Sequence, residues 1–422
     1  MAKSKIKQNQ LIFRMVLIGF FIFIAGLIYF LFFMHAKVSI EVVPTSAVVT
    51  LDNKPAAVAN GSATFVTSLG QHTLRVEADN YVGFKETINL TRGRNYSKKV
   101  SLEKSPSPIK IAANAQYVAI KDNDIFYFNP ADRLIYLTKT AYDTKGQASV
   151  ASTQNIISKP LDSFDKLIWS PNKDMVLIQR GGNVSLLDFK KYDFVHQNEV
   201  AFGSYIGDIT WSPDNSRLAY YYAPPGGERS LIFSDASNQN VFRAANLAQA
   251  NIENPFLSFS PNSELMAVIP RNQNFDQNLV YLMNVYTREL TAVSKTGNQK
   301  EASFSSDSKK IIYSSYSDNS ANVVHRMLSA MNLDGSDNKA LNIAARASDI
   351  RPWKNPNQIF LPINSSRSKM ILVDLISGLT SDFYFDGQSN SEISEIFLND
   401  QATSAVFISK NILYFVKLEG NG

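Results

Sequence analysis

The chain contains no cysteine. Disulfides, thiolate nucleophiles and cysteine-ligated zinc are therefore excluded, although the absence does not identify a compartment. Histidine is almost as scarce. His35, His72, His196 and His325 lie far apart, with no His-x-x-x-His pair and no acidic companion at metal-ligand spacing. No Gly-x-Ser-x-Gly elbow, phosphate loop or dinucleotide fingerprint occurs, so no catalytic residue, cofactor or metal is expected. Charge is also sparse: charged residues are 19% of the 422, and the formal net charge of +5 is spread along the chain. A nucleic-acid partner would need a clustered basic footprint, which the sequence does not have. A hydrophobic content of 45% indicates a large packed core rather than disorder.

Long apolar runs are confined to one place. Met15 to Met34 is uncharged for about twenty residues, enough to cross a hydrocarbon core of about 30 Å as a helix. Lys3, Lys5, Lys7 and Arg14 precede it, whereas only His35 and Lys37 follow closely. The positive-inside rule then predicts a cytoplasmic tail (1–10), a signal-anchor helix (11–36) and an extracytoplasmic remainder. The rival, a cleavable signal peptide, would have a shorter apolar core and an Ala-x-Ala-like site; Met34-His35-Ala36 is a poor one.

Most of the remaining chain is built on a repeat. Ile168-Trp-Ser-Pro-Asn, Thr210-Trp-Ser-Pro-Asp, Ser258-Phe-Ser-Pro-Asn and Ser303-Phe-Ser-Ser-Asp each precede a polar turn and an apolar strand. Trp169, Trp211, Phe259 and Phe304 recur every forty to fifty residues or so, the spacing of propeller blades and other arrays. Proline has no N–H for the ladder, and Asp, Asn and Ser close tight turns through side-chain hydrogen bonds. Trp211-Ser-Pro-Asp214 with Leu218-Ala-Tyr220 resembles the repeat of TolB-like, WD-type β-propellers. Units begin near Tyr117, Phe164, Tyr205, Asn254, Glu301, Asp349 and Ile393, predicting seven blades over 109–420. Six blades, with the first and last segments sharing one sheet, is the alternative. Tyr142 to Thr153, rich in Ala, Ser, Thr and Gln, reads as a loop.

Between membrane segment and ring, residues 37–103 read as a compact all-β module of about six strands. Val38–Val42, Ala47–Leu51 and His72–Glu77 alternate, and Asp52-Asn-Lys-Pro55 marks a turn. With Pro44-x-x-Ala47, Leu69-Gly-x-His72 and Asn80-Tyr81, the module resembles the PEGA domain, a small β-sandwich of envelope proteins. The family's name tetrad stands here as Pro44-Thr-Ser-Ala47, without its acid or glycine. Glu103-Lys-Ser-Pro-Ser-Pro108 reads as a proline-rich boundary, with the linker at 104–108. The expected fold class is thus all-β: an N-terminal transmembrane helix, a PEGA-like sandwich and a propeller.

Candidate contact residues are few. Tyr222 and Glu228 flank one long loop, Tyr316 and Asp318 begin another, and such loops are where propellers bind partners. Arg92 and Arg94, with Lys98 and Lys99, could meet anionic wall polymer or lipid, although charge at a hairpin is usually a solvated turn. Asp334-Gly-Ser-Asp337 lacks the remaining ligands of a calcium loop and reads as a surface turn. Trp169, Trp211 and Trp353 read as core rather than a sugar platform, and His72 as structural. The resemblances imply a non-enzymatic, membrane-tethered envelope protein whose propeller binds envelope proteins or cell-wall glycans, with the small module as spacer or wall contact. The alternative is a carbohydrate-active enzyme, lyase or glycosidase, on a propeller scaffold.

Overall fold

The computed structural model describes residues 16–24, 26, 35–78, 81, 83–91, 95–102, 107–144, 147–190, 199–272, 278–295, 298–316, 326–363, 369–383 and 393–418. The chain divides into two compact units, Met1–Ser105 and Pro106–Gly422.

In the first unit, β1 (His35–Val43), β4 (Ser62–Ser68) and β7 (Tyr96–Ser101) form one sheet in the order β4-β1-β7. The other sheet has the order β3-β2-β5-β6, from β2 (Val48–Leu51), β3 (Lys54–Ala56), β5 (Gly70–Glu77) and β6 (Phe84–Leu90). Side chains alternate across a strand, so Val38, Ile40 and Val42 of β1 meet Val49, Leu51, Leu74, Val76 and Ile88 in one buried core. There are seven strands rather than about six. Lys54–Ala56, which reads as turn, is a three-residue edge strand whose Pro55 hides it. Asp52 and Asn53 take left-handed backbone at the hairpin without glycine. The Asp52 carboxylate then lies 2.5 Å from Nδ1 of buried His72 and accepts the Thr73 N–H at 2.8 Å, while Nε2 of His72 lies 2.8 Å from the Ser68 carbonyl. His72 therefore ties hairpin to sheet. Its hydrogen bond, then the Thr73 N–H, holds the Asp52 carboxyl below the usual range.

Residues 16–24 are helical, and Val16, Ile18 and Phe20 to Phe23 are exposed. Among the described residues no helix is long and apolar enough to cross a membrane. The tail (1–10) and most of the expected anchor (11–36) lie outside the described residues.

In the second unit the described residues form seven four-stranded antiparallel sheets. β8 (Ile109–Ala113) precedes the first of them. Blade 1 comprises β9 (Gln116–Lys121), β10 (Asp124–Asn129), β11 (Leu134–Tyr142) and β12 (Ala148–Asn155). Blade 2 has β13 (Lys166–Trp169), β14 (Met175–Arg180), β15 (Asn183–Asp188) and β16 (Val200–Gly203). Blade 3 has β17 (Ile206–Trp211), β18 (Leu218–Tyr222), β19 (Ser230–Ser234) and β20 (Phe242–Asn246). Blade 4 has β21 (Phe256–Phe259), β22 (Leu265–Ile269), β23 (Tyr281–Asn284) and β24 (Leu290–Ala292). Blade 5 has β25 (Gln299–Phe304), β26 (Lys310–Tyr316), β27 (Arg326–Asn332) and β28 (Lys339–Ala344). Blade 6 has β29 (Arg351–Pro352), β30 (Gln358–Ile363), β31 (Lys369–Asp374) and β32 (Thr380–Phe383). Blade 7 takes β33 (Ile393–Leu398), β34 (Ser404–Ser409) and β35 (Ile412–Lys417), then β8 as its fourth strand.

Strand β9 touches β13, β17 touches β21, β21 touches β25, β30 touches β33, and β33 meets β9, so the succession of sheets returns from the last to the first. β8 pairing antiparallel with β35 closes it. The N-terminal segment thus completes the last blade. The expected loop at Tyr142 to Thr153 is also corrected: Ala148–Asn155 is the outer strand of blade 1, exposed almost throughout. An edge strand with water on both faces has no buried side to impose alternation, so its Ser, Thr and Gln look like loop residues.

The core lies between sheets. Phe128, Ile135 and Leu161 of the first blade and its crossing pack on Leu167, Val176 and Leu187 of the second. Phe233 and Leu231 of blade 3 likewise pack on Phe259, Met266 and Val268 of blade 4.

The repeat motif builds the turn after each inner strand. Ser170, Ser212, Ser260 and Ser305 are buried, and their hydroxyls accept the N–H of Met175, Arg217, Leu265 and Lys310 at 2.9–3.0 Å. The same hydroxyls donate to Asn172, Asp214, Asn262 and Asp307 at 2.5–2.8 Å. Lys173, Asn215, Ser263 and Ser308, which follow, are left-handed. Two turns also bridge blades: Asp214 N–H donates to Ser263 Oγ and Asn262 N–H to Ser308 Oγ, both at 3.1 Å. Trp211 is buried, and Trp169 Nε1 donates to the Tyr117 carbonyl at 2.6 Å, so both serve packing. Ser336 N–H donates to Asp334 Oδ1 at 2.9 Å, making the Asp334–Asp337 segment an ordinary polar turn.

Replacing Ser260 with alanine leaves the buried Leu265 N–H without its acceptor and is expected to cost about 1–3 kcal/mol. A lowered unfolding midpoint in guanidinium, with unchanged slope, is the expected readout.

Candidate binding face

Because strands alternate in direction, first-to-second and third-to-fourth connections share one face of the ring. Second-to-third connections and blade-to-blade crossings share the other, called the mouth. Loops at the mouth are freed from ladder geometry and are where side chains of different blades can converge.

Tyr222 ends β18 and Glu228 follows in the same second-to-third connection, so both belong to the mouth. Tyr222 packs against the apolar cluster of blades 2 and 3. Glu228 is exposed and accepts from Arg243 at 2.5 Å and Asn246 at 3.2 Å. Tyr316 ends β26, which places its backbone at the same face. Asp318, Arg92 and Arg94 lie outside the described residues. Lys98, from the same basic run, pairs with Glu86 at 2.6 Å.

What the mouth brings together lies mainly elsewhere. Glu301, at the mouth end of β25, is 5% exposed and accepts from Arg326 at 2.7 Å, Arg346 at 3.1 Å and the Ser348 N–H at 3.2 Å. Burial works to raise its carboxyl, but the Ser348 and Arg346 hydrogen bonds and the Arg346 charge outweigh this and hold it below the usual range. Asp349, on the short 3-10 turn that follows β28, behaves oppositely. Burial raises its carboxyl more than Arg346 and Arg351 lower it.

Arg351 staples blade 6 to blade 7. Its Nε donates to the Ile396 carbonyl at 2.8 Å, Nη1 donates to those of Ser348 (2.7 Å) and Ile350 (2.9 Å), and the guanidinium lies 5.2 Å from the Phe397 ring centroid. Lys300, beside Glu301, has its ammonium pushed down first by burial and then by the charges of Arg326 and Arg271. Arg271 itself lies 5.5 Å from the Phe256 ring centroid. The mouth between blades 4 and 6 is therefore cation-rich, with Glu301 saturated by its own arginines. A group that relieves crowded cations is an anion. Among the described residues no group of three or more His, Asp or Glu is placed to hold a metal.

These residues carry no sequence pattern. Arg271, Lys300, Arg326, Arg346 and Arg351 are spread over 81 positions and meet only because successive blades turn the same end of their strands to one face. The long loops at Tyr222 and Tyr316 were the signal that pointed to this face.

Comparison with known proteins gives one family match and several distant structural likenesses. Residues 35–106 match the PEGA domain. TolB from Acinetobacter baumannii is 12% identical at a TM-score of 0.42, over 75% of this chain and 77% of that one. A putative TolB from Agrobacterium tumefaciens is 14% identical at 0.41, over 64% and 95%. Hydrazine synthase of Kuenenia stuttgartiensis is 10% identical at 0.48, over 73% and 97%. No curated protein matches. Residues 35–106 thus match the PEGA domain, and the sheet order above makes the second unit a ring of four-stranded sheets of the propeller type.

Glu301→Gln is expected to destabilise the ring by about 1.5–3 kcal/mol at neutral pH, because two arginines lose a charged acceptor. The effect is pH-dependent. A carboxyl held low in the fold stabilises above its unfolded value and loses that contribution as pH falls through the folded one. The variant and parent should therefore converge in acid. Asp349→Asn should do the reverse, raising the melting temperature at neutral pH, since a carboxyl held high loses stability as pH rises from its unfolded value through its folded one. Thermal unfolding of both variants from about pH 3 to 8 checks the opposite signs.

Proposed function

We propose that the protein is a non-enzymatic, membrane-tethered envelope protein whose propeller is a binding platform. The mouth between blades 4 and 6 would receive a negatively charged segment of an envelope protein or glycan. The observation that carries this reading is the placement of Lys300, Arg326 and Arg271 at one face, where burial first and then the charges of Arg326 and Arg271 lower the proton affinity of the Lys300 ammonium. The PEGA domain supports an extracytoplasmic setting and a spacer or wall-contact role. The apolar, exposed helix at residues 16–24 supports a membrane anchor within 11–36, with the N-terminus cytoplasmic.

A second reading rests on one observation. Glu301 and Asp349 have their carboxyls pushed in opposite directions, the pattern of an acid and a base in carbohydrate-active enzymes. The burial of Glu301 and its full set of donors favour the structural role, because a working carboxylate needs access to substrate.

Pull-down of envelope proteins and isolated wall polysaccharide with the detergent-solubilised full chain tests the proposal. Saturable binding that falls at least about tenfold in Lys300→Glu or Arg271→Glu, and weakens with salt, is expected. Glycan cleavage abolished by Asp349→Asn would instead establish the enzyme. The topology has its own test: in this cysteine-free chain, Glu228→Cys should react with a membrane-impermeant maleimide on intact cells, and Ser4→Cys should not.

A further inference from the structure

Away from the mouth, a cleft of about 690 Å³ lies between blades 1 and 2, lined by the hairpin turns that follow β9 and β13. Its volume falls within the roughly 300–1,000 Å³ typical of small-molecule sites. Phe126, Leu137, Ile156 and Phe189 form its apolar lining. Trp169 supports two of them, with ring centroids 5.5 Å from Phe126 and 5.9 Å from Phe189.

The polar lining departs from the repeat. At the left-handed position of the turn, blades 4 and 5 carry Ser263 and Ser308, whose hydroxyls bridge to the preceding blade. Blade 2 has Lys173 there, and no such bridge forms from blade 1 among the described residues. With described residues the Lys173 ammonium makes neither a hydrogen bond nor an ion pair, although it is largely desolvated. Burial lowers its affinity for a proton, Asp400 partly restores it, and Lys121 lowers it further. Lys121 donates only to the Asn172 carbonyl, at 3.1 Å. Asp122 and Asp124 line the same cleft, and their carboxylates make no ion pair with described residues. Lys121 and Lys173 therefore line one half-apolar cleft with Asp122 and Asp124 without ion-pairing with them, while the third carboxylate of the lining, Asp174, is held by Lys190 at 2.5 Å.

We infer that this cleft binds a small zwitterion with an apolar body, of the free apolar amino-acid type. Its carboxylate would meet Lys173 and Lys121, its ammonium Asp122 and Asp124, and its side chain Phe126, Leu137 and Phe189. This site shares no residue with the cation-rich group of blades 4 to 6, so it stands or falls independently of the proposed platform.

Isothermal titration of the full chain in detergent with L-phenylalanine, 3-phenylpropionate, phenethylamine and glycine tests it. Phenylalanine should bind saturably, and each analogue, lacking one charge or the ring, about tenfold or more weakly. Lys173→Met and Asp124→Asn should each weaken phenylalanine binding about tenfold, while Lys300→Glu at the mouth leaves it unchanged. Should Lys173→Met fail to fold, Asp124→Asn decides alone. Equal binding of phenylpropionate and phenylalanine overturns the zwitterion assignment. No saturable heat from any of the four up to about 10 mM overturns the site, leaving the charges as a solvated rim.

Discussion

A four-stranded blade has two apolar faces and cannot bury both by itself, and the ring follows from that constraint. Many large core residues of the second unit lie in clusters shared by two neighbouring sheets, as where Phe233 meets Phe259 or Ile135 meets Leu167. Such packing only ends without exposed apolar faces if the last sheet meets the first. Here β33 against β9 provides the contact, and β8 on β35 the hydrogen-bonded seam. Chain termini of the ring are thereby paired in one sheet, so fraying at either end opens the same blade.

The turn motif works on the same junctions at smaller scale. One buried serine hydroxyl closes its own hairpin, while the following left-handed residue can reach the neighbouring blade, as Ser263 and Ser308 do. These bonds lie at partly buried turns after the inner strands, where a backbone N–H without a partner would be costly. At the opposite face the junctions are electrostatic. Glu301 gathers Arg326 and Arg346 within blade 5 and its crossing, and Arg351 reaches from blade 6 to a carbonyl of blade 7. Lys300 and Arg271 lie at the same face, which makes this mouth cation-rich as well as braced.

Elements with one buried face were legible from residue order. Val38–Val42 alternates because alternate residues enter the sandwich core, and Trp211-Ser-Pro-Asp recurs because each blade needs the same turn. Elements lacking that asymmetry were misread. Ala148–Asn155 has water on both faces, and Lys54–Ala56 is a three-residue edge interrupted by proline. The candidate contacts show the same division. Loop length drew attention to Tyr222 and Glu228, yet Tyr222 packs into core and Glu228 is occupied by Arg243.

Sequence alone determined the all-β class, the small alternating module, the repeat and its aromatic-Ser-Pro turn, because each is set by local periodicity and by residues within a few positions of one another. Tertiary structure alone decided which cations share the mouth, that Lys173 stands where blades 4 and 5 place a bridging serine, and that residue 109 onward completes the blade ending near residue 417. Those relations join residues up to about 300 positions apart, and their energies depend on distance and burial, which the order of residues does not contain.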